Sequence, residues 1–488
     1  MLSSSPPPPF TAFVNFPSRF FTSLITAALL RTYPSLSILS SLPAPPPLPL
    51  LQWADYDLLN HELTLSQAHS DLSRVLSCSY VIRKSLIRKH YLASTVAQWL
   101  AKHPSSLLGA AVPKTWAVEV RFADELEELW ADELWDLGKY LDEQEEAEEE
   151  EERRWYILKP GMADKGQGIR MFSSKHELEE IFEEFEEESK DDDDDDEDAT
   201  ALVDGENGKQ DGGRNGESTR VNAQQMRHFV IQEYVPRALL LNPLAPHTHS
   251  LTPHKFHLRA YVVSSRSSPL TLYLHPRLLA LFSALPYVSP RAPMTQESLM
   301  GHLTNTCLQK EETKERFVFE LAELVGWEYA LPLPATNTHR TGSASGVITE
   351  EDLGAITRGV GEVLAETWRA ALGAGQVHFQ PLPNAFELFG CDLLVSLRPP
   401  VAVPCSGASQ HNEGKFLIHL LEINACPDVE QTGTRLNGVI EDLVGGIVQD
   451  IVVPWAREIG GPEPGEVGHT LQPGAGLVKI LELGVRGA

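Results

Sequence analysis

The sequence predicts an α+β protein with an N-terminal α/β domain. Three observations lead there. From Trp155 onward, strand-like apolar runs alternate with stretches of helical period. Several of those runs carry isolated polar residues two positions apart, the spacing that puts side chains on one face of a strand. With 42% hydrophobic residues over 488 positions, the chain can bury the cores of two or three domains.

The formal charge of −28 is local. Nine acids lie between Asp142 and Glu152, and sixteen acids against one lysine lie between Glu177 and Asp198, so two runs hold −24 of it. Such runs read as solvated insertions or as attractors of a basic partner, and they argue against nucleic acid as a ligand. Cys78, Cys307, Cys391, Cys405 and Cys426 form no CxxC pair, which fits a reducing compartment without structural zinc. The apolar stretch Leu24 to Leu30 is far shorter than the roughly 20 residues of a spanning helix, so no membrane segment is expected. No acid precedes Asp55, and Arg19 and Arg31 lie among serines, as in a presequence. The Pro-rich runs 6–9 and 43–49 argue against a regular presequence helix.

In chain order, residues 1–120 read as the Pro-rich start and the N-terminal α/β domain, with a strand at Ala12–Phe16 and a helical stretch over 79–100. That helix gathers Arg83, Lys84, Arg88 and Lys89 on one face, either a solvated face or a surface for an acidic tail. Residues 121–236 form a second unit, with acidic disordered insertions at 142–152 and 183–220. Residues 237–456 form a third, interrupted by Pro-, Ser- or Thr-rich loops at 242–253, 332–345 and 398–414, and 457–488 read as a tail. Within the third unit Thr349 is placed to cap a helix carrying Leu353, Ile356, Val360, Val363, Leu364 and Trp368 on one face.

Four segments carry chemistry. In WYILKPGMADKGQGIRMF (155–172) a strand ending at Lys159 meets a Gly-rich turn with Lys165, Gly166, Gln167, Gly168 and Ile169. Glycines let backbone N–H groups approach phosphate and lysines neutralise it, although such a turn can be only a turn. It is neither a Walker A loop nor a dinucleotide fingerprint, because Gln167-Gly168 and Met171 stand where those motifs need other residues. FVIQEYVPRALLL (229–241) is a strand whose exit, Gln232, Glu233, Tyr234 and Val235, offers backbone groups to an adenine edge. In HKFHLRAYVV (254–263), alternation puts Lys255, His257 and Arg259 on one face, which suits a polyanion or an exposed basic edge strand. FELFGCDLLVSL (386–397) and KFLIHLLEINACPDVEQTG (415–433) read as buried strands interrupted by Asp392 and by Glu422 and Asn424. Glu422 and Asn424 share a face, with Leu421 and Ile423 packed away from it. A buried acid needs a cation or strong hydrogen bonds, and two carboxylates with an amide oxygen suit magnesium with phosphate oxygens.

The order of these segments resembles the tubulin tyrosine ligase-like family, over roughly Ser79 to Asp442. The stretches KPGMADKGQGI, QEYV, KFHLR, HLTNTCLQ, FELFGCDLL and LLEINACP carry the resemblance. It implies an ATP-grasp fold, with residues 121–236 as the central lobe and 237–456 as the C-terminal lobe gripping ATP. By the same resemblance Lys159 contacts phosphate and Lys165 to Ile169 form a lid. Gln232 to Val235 border adenine, and Thr304 and Asn305 lie near nucleotide and acceptor. Lys255, Arg259 and Glu422 serve the chemistry, while Asp392, Glu422 and Asn424 hold Mg2+. The implied reaction joins a free amino acid to a protein carboxylate, the tubulin C-terminal tail in this family, through an acyl-phosphate and in the cytoplasm.

Two positions depart from the family pattern. His257 stands where an acid is common, and Ala280 where many members place an arginine toward the amino-acid carboxylate, with Arg277 nearby. These departures keep open a second class, a nucleotide-binding scaffold that has lost ligation. A third reading is a ligase acting on small peptides.

Overall fold

The computed structural model describes residues 10–70, 72–146, 153–161, 168–196, 228–244, 252–304, 315–332, 344–398, 414–425, 427–430, 433–461 and 476–484. The N-terminal domain is a parallel four-stranded sheet of β1 (Thr11–Asn15), β2 (Ser37–Leu39), β3 (Leu50–Ala54) and β4 (Val75–Ser77), in the order β2-β1-β3-β4. β3 is buried throughout, as expected of a parallel strand covered on both faces. The helix Arg19–Thr32 makes the first crossover and is capped by Ser18, whose hydroxyl accepts from the Phe21 N–H at 3.0 Å. Its apolar stripe, with Phe21, Ile25 and Leu29, packs in one core with the helix Asn437–Ile447, so this domain rests on the C-terminal part of the chain.

The central lobe is an antiparallel sheet of β5 (Thr115–Glu119), β6 (Tyr156–Pro160), β7 (Arg170–Phe172) and β8 (His228–Glu233), in the order β5-β8-β6-β7. Tyr156, Leu158, Phe229 and Ile231 join one core with residues of the helices Leu126–Ala131, Trp135–Glu146 and Lys175–Asp196. The alternate positions, Ile157, Lys159 and Gln232, face the other way. Because β5 is bonded into this sheet, the lobe begins ahead of residue 121. The acidic stretch expected to be disordered from residue 183 instead continues the helix as far as Asp196, anchored by buried Phe182 and Phe185. The helical stretch expected over 79–100 is two helices, Lys84–Ile87 and Lys89–Lys102, broken at Arg88, whose backbone is extended.

The C-terminal lobe is a ten-stranded sheet: β9 (Leu240–Leu241), β10 (His254–Ser265), β11 (Leu270–Leu274), β12 (Leu279–Phe282), β13 (Val318–Glu320), β14 (Glu328–Ala330), β15 (Ala344–Val347), β16 (Phe386–Leu397), β17 (Phe416–Ala425) and β18 (Val478–Leu483). β10 pairs with β9, β11, β12 and β16 and is buried along almost its whole length, so it is a central strand and not an exposed edge. β18 pairs with β11, which makes part of the expected C-terminal tail a strand of this lobe.

Phe256, Leu258, Ala260 and Val262 of β10 share a core with Ile356, Val360, Leu364 and Trp368 of the helix Glu350–Gly373. Thr349 caps that helix, accepting from the Asp352 N–H at 3.1 Å. On its opposite face β10 carries Lys255, His257 and Arg259 at one end and is apolar at the other, where Tyr261 and Val263 join the core under the N-terminal domain. Among the described residues no helix is long and apolar enough to cross a membrane.

Candidate active site

A cleft opens between the central and C-terminal lobes. Lys159, Ile169, Gln232, Glu233, Tyr234, Val235, Lys255, Thr304, Asp392 and Glu422 all line it. Gly168, at φ +68°, turns the chain into β7 beside the cleft. Lys165, Gly166, Gln167 and Asn305 lie outside the described residues.

Register organises the charged wall. Arg259 of β10 lies opposite Asp392 of β16, and Asp392 lies opposite Glu422 of β17, so the three form one row across three strands. Arg259 donates from Nε to Asp392 Oδ1 at 2.6 Å and from Nη2 to Oδ2 at 3.1 Å, a bidentate pair. Asn424 donates from Nδ2 to Asp392 Oδ2 at 3.2 Å and to Glu422 Oε1 at 3.3 Å. The register shifts between Asp392 and Leu393, passing from the Asp392–Glu422 pair to Leu393–Leu420, which leaves Leu421 without an opposite residue. This bulge turns Leu421 into the cleft beside Glu422, correcting the expectation that Leu421 packs away.

Burial sets the electrostatics. Lys255 is brought down to about 7 by burial and by the charge of Lys159. Burial also brings Lys159 down to about 8, with Glu422 opposing the change; its Nζ donates to Gln232 Oε1 at 2.7 Å. For Asp392 the burial that would raise its pKa is outweighed by Arg259 and His257, leaving it well below the usual carboxylate range. For Arg259, likewise, burial is outweighed by Asp392, and the guanidinium is held firmly charged. His257 Nδ1 bonds Thr304 Oγ1 at 2.6 Å, and its Nε2 lies 3.5 Å from Asp392 Oδ1.

The two departures resolve by direction. Ala280 sits opposite Leu258 and shares its core, so its side chain faces away from the cleft. The residue of β12 beside His257 on the cleft side of the sheet is Leu281. Arg277 is engaged elsewhere: it donates to Glu320 Oε2 at 2.9 Å and to Asp442 Oδ2 at 2.6 Å.

Two contributors were not assigned from sequence. Lys89, noted there only as part of a basic helix face, reaches Glu422 at 3.5 Å and brings a third lysine to the site. His302 lines the cleft from the HLTN stretch, where only Thr304 and Asn305 had been singled out.

The donor set fits a hard cation. Asp392 and Glu422 present carboxylates side by side, and turning the Asn424 amide about its last torsion would offer Oδ1 in place of the nitrogen. Among the described residues no group of three or more His, Cys, Asp or Glu side chains converges into a full cage. An incomplete oxygen set beside lysines is what magnesium uses when phosphate oxygens complete its shell.

A crystal structure of the C-terminal domain of Pby1 from K. lactis, described as an ATP-grasp enzyme interacting with the mRNA decapping enzyme Dcp2, superposes with a TM-score of 0.60 at 25% identity. The match covers 97% of this chain and 99% of that one. Fold and cleft therefore define an α+β ATP-grasp protein, a class that uses ATP. Residues 118–459 match the model of the tubulin-tyrosine ligase family, and the chain belongs to that family. It is 31% identical over 456 residues to the probable tubulin–tyrosine ligase PBY1 of Saccharomyces cerevisiae, covering 91% of this chain but 52% of that protein, so it spans about half the length of that relative. It is 30% identical over 411 residues to the probable tubulin–tyrosine ligase C12B10.04 of Schizosaccharomyces pombe, covering 83% of each. Family and fold are those of ligase-type enzymes.

Proposed function

We propose that this protein joins an amino acid to a protein carboxylate at the expense of ATP, through an acyl-phosphate. The observation that carries this reading is the convergence of buried Lys159 and Lys255 with Asp392 and Glu422 on one cleft, with Arg259 bonded to Asp392 behind it. A carboxylate is a poor electrophile. Its oxygen attacks the γ-phosphorus and ADP leaves; the incoming amine then attacks the acyl carbon, phosphate leaves, and an amide forms. Lys159 and Lys255 neutralise phosphate oxygens, and Arg259, fixed by Asp392, steadies the charge as it shifts. Asp392, Glu422 and Asn424 hold magnesium, which supplies Lewis-acid stabilisation of the transferring group when bound. Gln232 to Val235 border the base, with Ile157, Ile169 and Leu394 as apolar walls. Thr304, held by His257, lies at the acceptor side.

By family the acceptor is the tubulin C-terminal tail, the donor a free amino acid and the compartment the cytoplasm. Incubation with ATP, magnesium, tubulin and each amino acid, read by peptide mass, should show a mass increase that chelation by EDTA abolishes. No increase under any condition would refute ligation to tubulin.

A second reading, a nucleotide-binding scaffold with weakened ligation, is favoured by His257 beside Leu281, which leave that flank of the cationic row without a cation for an α-carboxylate. Since K. lactis Pby1 is described as interacting with Dcp2, a decapping enzyme is the partner to try. Binding to it by a Glu422→Gln variant with no detectable mass transfer by wild type would favour the scaffold.

A further inference from the structure

Lys255 differs from the other cations of the cleft in what holds it. Arg259 is met by a carboxylate, Lys89 by Glu422 and Lys159 by an amide oxygen. The Lys255 ammonium instead lies 3.9 Å from the centre of the Tyr234 ring. Among the described residues no carboxylate lies at ion-pairing distance and no acceptor takes a hydrogen bond from it, although Lys255 is 3% exposed. The ring is itself fixed: Tyr234 Oη bonds His302 Nδ1 at 2.9 Å and also bonds the Tyr287 hydroxyl, and the His302 ring stands edge-on to both tyrosines. His302 is kept neutral, brought down to about 3 by burial and by Lys255, so it does not repel the ammonium.

A π face attracts an ammonium without neutralising it, and leaves its N–H groups free. A carboxylate in that place would compete with an incoming phosphate; a ring does not. We infer that Tyr234, locked by His302, is the positioning residue that aims the Lys255 ammonium into the cleft and keeps it charged for an anion. This rests on the reading of the cleft as a nucleoside triphosphate site and adds to it. In the sequence reading Tyr234 only borders the base, whereas here its ring acts on phosphate through Lys255.

The test replaces Tyr234 by phenylalanine and by its mono- and trifluorinated forms, which keep the size of the ring while draining its negative face. Calorimetry with Mg-ATP should show affinity falling stepwise along the series, by about tenfold from phenylalanine to the trifluorinated ring, while AMP, which keeps the base contact but lacks the β- and γ-phosphates, should fall less. In a Lys255→Met background Mg-ATP and AMP should change alike along the series. A flat Mg-ATP series with Lys255 present, or an equal fall for AMP, overturns the inference. A parallel arm without nucleotide measures acetylation of Lys255 by acetic anhydride at pH 7. It should accelerate along the series as the ammonium is destabilised, and an unchanged rate also overturns the inference. Because that arm needs no ligand, failure of wild-type protein to bind Mg-ATP, which would refute the nucleotide reading, is distinguished from failure of the ring to act on Lys255.

Discussion

The two walls of the cleft handle charge in opposite ways. On the C-terminal wall Arg259, Asp392, Asn424 and Glu422 are bonded in a row across three strands, so buried charges compensate one another before any ligand arrives. On the central wall Lys159 is 8% exposed and held by one neutral amide, and β6 ends immediately after it. There Gly161 is pressed so closely that a Cβ would stand 2.9 Å from the His228 carbonyl oxygen and from His90 Nδ1. The difference teaches a division of labour. The braced wall fixes geometry in advance, whereas the other keeps a desolvated cation whose compensation must come from the ligand.

The comparison breaks or sharpens under four tests, taken from the largest expected effect. Glu422→Gln should lower ATP-dependent turnover about 10³-fold with little change in thermal unfolding; wild-type turnover would remove the proposed magnesium site from the braced wall. Asp392→Ala should cost about 3–5 kcal/mol in urea unfolding, because it leaves the Arg259 guanidinium buried and unpaired. Lys159→Met on the other wall should be neutral or stabilising, and equal losses for the two variants would erase the contrast.

The pH dependence tests the two lysines that no carboxylate among the described residues compensates, Lys159 on the central wall and Lys255 beside the braced row on the C-terminal wall. Ligand-free Lys255 is brought down to about 7 and Lys159 to about 8, both by burial first. A bound polyanion favours the charged forms and raises both values, so binding takes up protons. Mg-ATP affinity should therefore be greatest below about 7 and fall as pH rises through about 7 to 8, by at most about tenfold per unit for each lysine. Lys255→Met should flatten the lower part of that profile. The smallest effect is expected for Lys89→Met: its pair with Glu422 is half-exposed and 3.5 Å long, so the loss should be about 1 kcal/mol or less by the same urea measurement.

The sequence alone determined the segments and their faces. Alternation has a period of two residues and is local, so it placed Lys255, His257 and Arg259 together and Glu422 with Asn424 without knowledge of any partner strand. Capping and periodicity fixed the helix after Thr349 for the same reason. The acidic run misled because composition alone signals solvation, while Phe182 and Phe185 give its first turns an apolar stripe to bury.

What only the tertiary structure decided is pairing. Nothing local says that Asp392 faces both Arg259 and Glu422, that one bulge turns Leu421 into the cleft, that Leu281 and not Ala280 flanks His257, or that Arg277 is spent on Glu320 and Asp442. Register, bulges and ion pairs join residues from tens to more than a hundred positions apart. Their energies depend on burial that exists only once the sheets and the N-terminal domain have closed around them.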